Sequence, residues 1–324
     1  MSVERALVTG GHGFAGAWLS KTLLGEGTAV TVLDRQDPPV SGLALHGIES
    51  DVNVVNGDLR DGELLSKEIG GGDYDAVFHL AAVTIVGEAI GAPVTTFEVN
   101  VQGTWNLLEA CREGGVGAVV VASSDKAYGA HDELPYREDF ALQPSHPYEA
   151  SKAAADVISR SYWRAYGVPV AVTRFANLYG GGDMNFSRLI PETATAVLDG
   201  RPPVIRSDGS PIRDFLYIED CAAAYLAIAG SLREGDAARG EAFNAGGGRP
   251  FSVREVVELI CELGPTDVEP DFQGEGNPEG EIDKQYVDPA KIEEVVGWKP
   301  QIDLREGLRR TIEWYGAHSE LRPS

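Results

Sequence analysis

The chain has 324 residues, 43% of them hydrophobic, enough for one large buried core or two smaller ones. Fifty Asp and Glu against 27 Lys and Arg leave a formal net charge of -23, which repels phosphate backbones and anionic lipid, so nucleic acid and membrane are not expected partners. Cys111, Cys221 and Cys261 lie far apart with no C-x-x-C pair, and no apolar run reaches the ~18 residues of a membrane helix, which predicts a reducing, cytoplasmic setting and no structural metal.

From the amino terminus, short apolar runs alternate with longer helical patterns. RALV (5–8), AVTVLD (29–34), VNVV (52–55), DAVFHL (75–80), GAVVVAS (117–123) and VPVAVTRF (168–175) read as strands buried on both faces. Between them, GAWLSKTLLGEG (16–27) and TFEVNVQGTWNLLEACREGG (96–115) carry apolar residues at three- and four-residue spacing and end in glycine, as helices do. The succession predicts an α/β fold, a doubly wound Rossmann-type parallel sheet with helices on both faces. After residue 176 the rhythm changes. NLYGGGDMNFSRLIP (177–191) is loop-like, RDFLYIEDCAAAYLAIAG (213–230) reads as a strand leading into a helix, and GEAFNAGGG (240–248) as a late strand. An acidic Gly/Pro loop, QGEGNPEG (273–280), separates the expected helices SVREVVELICELG (252–264) and LREGLRRTIEWYGAH (304–318). This predicts a dinucleotide-binding domain over 1–176 plus about 214–250, and a smaller α/β substrate-binding lobe from about 177–213 plus 251–324.

TGGHGFAGAWL follows the first strand, with Gly10, Gly13 and Gly16 three apart. Such a turn between strand and helix suits a pyrophosphate: one glycine permits the tight turn, one admits the phosphates to the backbone, and one lets the helix pack on the sheet. Asp34 ends the next strand 24 positions after Gly10, where a carboxylate holds a ribose diol and repels a 2′-phosphate. NAD is therefore the expected cofactor; Arg35, next in the chain, keeps NADP open. Asp58, in NGDLR, ends the third strand within reach of an adenine or as an ordinary loop carboxylate. Phe14, Leu59 and Ala81 are the further expected cofactor contacts. His79, at an apolar strand end, reads as a packed histidine.

The run SHPYEASKAAADVISRSYW (145–163) places Tyr148 and Lys152 four apart on one face of a helix that Pro147 opens. A phenol, with a free pKa of ~10, becomes a base when an ammonium and a cationic nicotinamide favour its phenolate. The fifth strand runs into ASSDKAYG (122–129), where two hydroxyls, a carboxylate and an amine follow apolar residues. An anionic substrate needs a local basic pocket, for which Lys152, Arg174, Arg188, Arg206 and Arg213 are the residues to follow.

The glycine turn, Ser124 and the Tyr148/Lys152 pair together resemble the extended short-chain dehydrogenases/reductases that act on nucleotide-sugars, over nearly the whole chain. That resemblance implies a hydrogen bond from Ser124 to the reacting 4-hydroxyl, with Lys152 also held against the cofactor. It further implies diphosphate contacts by Asn177 in RFANLYG and Arg213 in RDFLYIED, with Arg188 on the same substrate. The Asp125–Lys126 pair, together with VTIVGEAIGAPVTTFEVNVQGTWNLLEACR and YGGGDMNFSRLIP, is similar to the CDP-glucose 4,6-dehydratase group. The implied reaction is oxidation at C4, loss of water across C5 and C6, and reduction at C6, with Tyr148 as base, Asp125 as acid, and Lys126 as C5 base or enolate stabiliser. The expected substrate is a CDP-, GDP-, UDP- or dTDP-hexose. A nucleotide-sugar 4-epimerase would use the same Ser124, Tyr148 and Lys152, a non-catalytic dinucleotide-binding regulator would need none of them, and a lesser alternative makes Asp125 and Lys126 an exposed pair at a loop start. The resemblance also implies a homodimer pairing the helices around 97–111 and 148–166.

Overall fold

The computed structural model describes residues 3–35, 40–276 and 282–323, so residues 277–280 of the expected acidic loop lie outside it. Strands β1 (Arg5–Thr9), β2 (Ala29–Asp34), β3 (Asn53–Asn56), β4 (Ala76–His79), β5 (Val119–Ala122) and β6 (Val170–Phe175) fall on the six apolar runs. Helices α1 (Phe14–Gly25), α2 (Gly42–Leu45), α3 (Gly62–Gly72), α4 (Val86–Gly91), α5 (Pro93–Phe97), α6 (Gly103–Gly114) and α7 (Pro147–Tyr166) lie between them. Beyond β6 come β7 (Asn177–Tyr179), α8 (Leu189–Leu198), β8 (Val204–Ile205), β9 (Ile212–Arg213), β10 (Phe215–Tyr217), α9 (Ile218–Glu234) and β11 (Ala242–Ala245). The remainder comprises β12 (Phe251–Ser252), α10 (Val253–Leu263), β13 (Asp271–Phe272), β14 (Lys284–Gln285), α11 (Ala290–Val296) and α12 (Leu304–Ala317).

Among the described residues the central sheet has seven strands in the order β11-β6-β5-β4-β1-β2-β3, all parallel. Strand order reverses between β1 and β4, which opens a crevice at the carboxyl ends of these strands. The inner strands are largely apolar because both faces are covered, whereas the edge strand β3, Asn53–Asn56, is mostly exposed. Val8, Val32, Phe78 and Val120 enter one core with α1, α9 and the carboxyl-terminal helices, and Leu7, Leu33, Val77, Val119 and Val121 enter another with α3, α6 and α7. The late strand expected near 240–248 is β11, the sheet's edge beside β6.

The smaller elements sit beside the sheet's open end. β10 pairs with β7, β9 lies between β12 and β14, and β13 pairs with β8. α10 starts with a reciprocal cap between Ser252 and Glu255 and buries Val253, Val256, Val257 and Ile260 at three- and four-residue spacing. α12 is capped by Asp303, whose carboxylate accepts the Glu306 N–H, and buries Leu304, Leu308, Ile312 and Tyr315. α2, α3, α4, α8 and α11 have no counterpart among the helices expected from sequence; α8 is buried at Ile190, Pro191 and Thr193 to Val197, nearly all round, so it shows no polar face to set a period.

One expected helix is not continuous. The pattern over 96–115 runs through α5, a single π-helical turn at Glu98–Gln102, and α6, because the Gly103 N–H reaches back to the Glu98 carbonyl. The wider turn brings Asn100 inward. Its amide accepts from the Val83 N–H at 2.7 Å and donates to the Val83 carbonyl at 3.0 Å and to Ser151 Oγ at 2.9 Å.

Arg174, one of the basic residues followed as an anion ligand, is instead an internal strut. It is 1% exposed and donates to both Asp156 oxygens, at 2.7 and 3.0 Å, and to the Tyr128 hydroxyl at 2.9 Å. Tyr128 donates to Asn244 on β11, whose amide in turn donates to the Tyr136 carbonyl. The network fastens the 128–140 excursion to the sheet beneath the crevice. Replacing Arg174 with Met removes both hydrogen bonds to the buried Asp156 carboxylate and leaves it only Arg160, at 3.9 Å, as counter-charge, and should cost about 3 kcal/mol in urea unfolding. A loss below about 1 kcal/mol would show that the strut carries little of the stability.

Candidate active site

At the reversal point of the sheet, β1 ends at Thr9 and the chain turns through Gly10 with φ +76°. A Cβ on Gly10 would lie 2.8 Å from the backbone of Ala81, and one on Gly16 would lie 2.2 Å from the Gly10 carbonyl oxygen, so only glycine lets the turn pass beneath β4 and α1 pack on it. Gly13 stays open toward the crevice, and the first N–H groups of α1 face it. Asp34 accepts from the His12 N–H at 3.0 Å and from the Arg35 N–H at 2.8 Å. This cradle fits a dinucleotide pyrophosphate with its ribose against Asp34.

Asp58 differs from a lone loop carboxylate. Arg60, one turn of chain away, donates to both its oxygens at 3.0 and 2.7 Å, and that hydrogen bonding holds the carboxyl below the usual range. Leu59 is buried under Gly103, and the Ala81 N–H donates to Thr9 Oγ1. His79 is a core residue, as its apolar surroundings suggested: its ring nitrogens meet Thr9 Oγ1 at 2.9 Å and Thr104 Oγ1 at 3.1 Å, and burial pushes its pKa down to about 3.

The next part of the crevice lies where β5 ends. Lys152 Nζ donates to the Ala122 carbonyl at 2.8 Å, and Ser123 Oγ donates to the Lys152 carbonyl at 3.0 Å, so helix and strand end are tied in both directions. Ser124 caps a one-turn 3-10 helix, Asp125–Tyr128, its Oγ accepting from the Lys126 N–H at 3.2 Å and donating to Asp125 Oδ1 at 3.2 Å. Asp125 is 2% exposed, and its Oδ2 has no partner among the described residues. Burial pushes its pKa up to about 6, against the opposing pull of Lys126, the Ser124 hydroxyl and Arg213. The pair Asp125–Lys126 is therefore not an exposed surface couple, since the acid is inside.

Tyr148 and Lys152 sit in the first turns of α7, where Pro147 occupies the first helical position and Glu149 closes the cap with His146. Burial raises the Tyr148 pKa; hydrogen bonding with Ser124 and the charge of Arg188 oppose it, while Asp125 adds to it. The same burial brings Lys152 down to about 8. The phenolate is thus favoured by Ser124 and Arg188, where sequence spacing alone had singled out Lys152.

Farther along, Asn177 Nδ2 donates to the Asp214 carbonyl at 3.1 Å, tying β7 to β10. Arg188 caps α8 and donates to Asp183 Oδ2 at 2.9 Å, and Arg213 Nη1 donates to the Ile212 and Asp283 carbonyls. Arg206 is exposed at the far rim. Asp214, buried beside this group, has its carboxyl raised to about 6 by burial, with the Asp125 charge adding to the shift.

A single crevice of about 1650 Å³ runs through all of these places. Gly10, Gly13, Phe14, Gly16, Asp34, Arg35, Asp58, Leu59, Ala81, Ser124, Asp125, Lys126, Tyr148, Lys152, Asn177, Arg188 and Arg213 all line it. Sequence reading missed His12 and Gln285, both buried on its wall with one side-chain nitrogen lacking a partner. His12 stood within the quoted glycine motif; Gln285 lies in a two-residue strand, too short to show a period.

No helix among the described residues is long and apolar enough to cross a membrane. The sequence profile of the family described as GDP-mannose 4,6 dehydratase matches residues 7–311. A dTDP-glucose 4,6-dehydratase of Streptomyces niveus is 35% identical over 326 residues, spanning 96% of this chain and 92% of that one. Among solved structures, the dTDP-glucose 4,6-dehydratase DesIV of Streptomyces venezuelae, with NAD bound, superposes with a TM-score of 0.85 at 33% identity and covers 98% of each chain. The UDP-glucose 4-epimerase of Thermotoga maritima, with UDP-glucose, gives 0.88 at 28% identity, covering 97% of this chain and 99% of that one. The chain belongs to the GDP-mannose 4,6-dehydratase family, within the extended short-chain dehydrogenases/reductases.

Proposed function

We propose that the protein is an NAD-dependent 4,6-dehydratase of a nucleotide-diphosphate hexose, yielding a 4-keto-6-deoxy sugar. Both dehydratases and epimerases of nucleotide-sugars are among its relatives. The observation that carries the dehydratase reading is Asp125: a buried carboxyl with one unpartnered oxygen, raised to about 6, bonded to Ser124 on the crevice wall. An epimerase has no use for an acid there; elimination of water does.

NAD, when bound, supplies the two-electron acceptor that oxidises C4 and returns the electrons at C6. The chain's own residues handle protons and position. Tyr148 takes the proton of the C4 hydroxyl, with Ser124 bridging phenol and hydroxyl, Ser124 and Arg188 favouring the phenolate, and Lys152 held by the Ala122 carbonyl one turn along the helix. Protonated Asp125 gives its proton to the departing C6 oxygen, and Lys126, its chain neighbour on the same crevice, is assigned the C5 proton that the 4-keto group has made acidic. Asn177, Arg188 and Arg213 receive the diphosphate, so that 177–213 with 251–324 forms the nucleotide-sugar lobe and 1–176 with 214–250 the NAD-binding part. Asp34 selects NAD over its 2′-phosphorylated form by charge repulsion.

Ile90, Val94, Phe97, Trp105 and Val157 on α4 to α7 are exposed, from 40% at Phe97 to 69% at Val94, which supports a homodimer through this face. Light scattering should then give twice the chain mass, and Val157→Glu should give the single-chain mass; a monomeric unmodified protein would remove this part of the reading.

Incubation with NAD and a panel of CDP-, UDP-, GDP- and dTDP-hexoses should give a product lighter by one water; a product of unchanged mass with inverted C4 would replace dehydratase by epimerase. Asp125→Asn should slow dehydration by about 10²–10⁴-fold while C4 oxidation continues, so that reduced nicotinamide absorbance accumulates. Equal loss of both steps would count against the acid role. The fold carries a matching signature. Because burial raises the Asp125 carboxyl from 3.8 to about 6, its share of stability is present below 3.8 and is withdrawn, by about 3 kcal/mol, as pH rises through 6. Asp125→Asn should therefore stabilise the protein in urea at pH 8 and leave it unchanged at pH 4.

A further inference from the structure

His12 occupies a place in the glycine turn that neither the pyrophosphate cradle nor the catalytic group explains. It is 7% exposed and lines the crevice. Three of its polar groups are used within the chain. Its N–H donates to Asp34 Oδ2 at 3.0 Å, its carbonyl accepts from the Gly42 N–H at 2.8 Å, and its Nδ1 lies 2.7 Å from Ser41 Oγ. The fourth, Nε2, is buried with no partner among the described residues. A neutral imidazole carries one donor and one acceptor nitrogen, and leaving either buried and unmet destabilises the fold unless a ligand supplies the missing group.

Position selects the ligand. The N–H groups that open α1 begin at Phe14, on the other side of Gly13, and these face the pyrophosphate. His12 instead faces the end of β2 and the start of α2: its backbone holds the Asp34 carboxylate and its ring is held by Ser41. In the NAD-binding reading above, on which this inference rests, Asp34 receives the hydroxyls of the adenosine ribose. We propose that His12 is a further cofactor-binding residue, its Nε2 exchanging a hydrogen bond with a hydroxyl of that same ribose. Asp34 alone offers only acceptors when ionised, whereas the ring of His12, whose own N–H is bonded to Asp34, adds a second polar contact. Ser41 then has a defined role, which is to fix the ring rotation that turns Nε2 to the ribose.

The test uses the full chain freed of nucleotide, with NAD affinity measured by calorimetry. Asparagine places a polar atom where Nδ1 stands and glutamine places one where Nε2 stands, so the two substitutions separate the bond to Ser41 from the bond to ribose. His12→Asn should weaken NAD binding about tenfold, the worth of one hydrogen bond, and His12→Gln should stay within about threefold of the unmodified protein. The Asn penalty should shrink below about twofold for an NAD analogue lacking the 2′- or the 3′-hydroxyl of the adenosine ribose. Equal NAD affinity for His12→Asn and the unmodified protein, a penalty that persists with both deoxy analogues, or a Gln variant weaker than the Asn variant would each overturn the proposal. Should the variants fail to fold, the ¹⁵N shift of His12 Nε2 in the unmodified protein serves instead: it should move on adding NAD and stay put with one of the deoxy analogues, and no movement with NAD overturns the assignment. None of these readouts involves sugar turnover, so this inference and the dehydratase reading fail separately.

Discussion

The hydrogen bond from Lys152 Nζ to the Ala122 carbonyl is the contact around which the site is arranged. A buried ammonium cannot be left without acceptors, and the last carbonyl of a buried strand cannot be left without a donor. Each group meets the other's need, and the return bond from Ser123 Oγ to the Lys152 carbonyl prevents α7 from sliding along β5. Ser124, two residues past the strand, and Tyr148, one turn before the lysine, are brought together as a consequence. Asn100, brought inward by the π-helical turn, holds α7 from the other side through Ser151.

Around this contact, burial governs the charges. Asp125, Tyr148 and Lys152 are each pushed toward their neutral forms, and no single counter-charge reverses that. Asp125, brought to about 6, can exchange a proton with a substrate near neutral pH at modest cost, which a fully solvated carboxylate cannot. Arg174 provides the contrast. It is equally buried but stays charged, because Asp156 meets it with two oxygens and Tyr128 with a third. One set of buried groups is fully partnered and holds the excursion over 128–140, while the other is left short of partners where a substrate would lie.

In a chain with net charge -23, a site suited to a diphosphate must concentrate cations locally. Lys126, Lys152, Arg188, Arg206 and Arg213 line one crevice, drawn from the 3-10 turn after β5, α7, the start of α8, the residue after β8, and β9. Their separation in sequence hides the grouping, and Arg174, which looked equally suitable in the strand VPVAVTRF, faces away from it.

The amino-acid order by itself determined the strands and the helices that pack on them, because a strand covered on both faces must be apolar at every position and a covering helix must show one apolar stripe. It also determined the glycine turn, since a positive φ at Gly10 and a contact of 2.2 Å at Gly16 tolerate no other residue, and it marked Ser124, Tyr148 and Lys152 through spacing on a strand end and a helix face. What the tertiary structure decided was the environment of each group. Burial of Asp125, the clamp of Arg60 on Asp58, the turn that swings Asn100 inward and the unmet nitrogen of His12 all depend on residues distant in the chain or on short segments without a period. Solvent exclusion is a property of packing in three dimensions, and no local pattern along a chain encodes it.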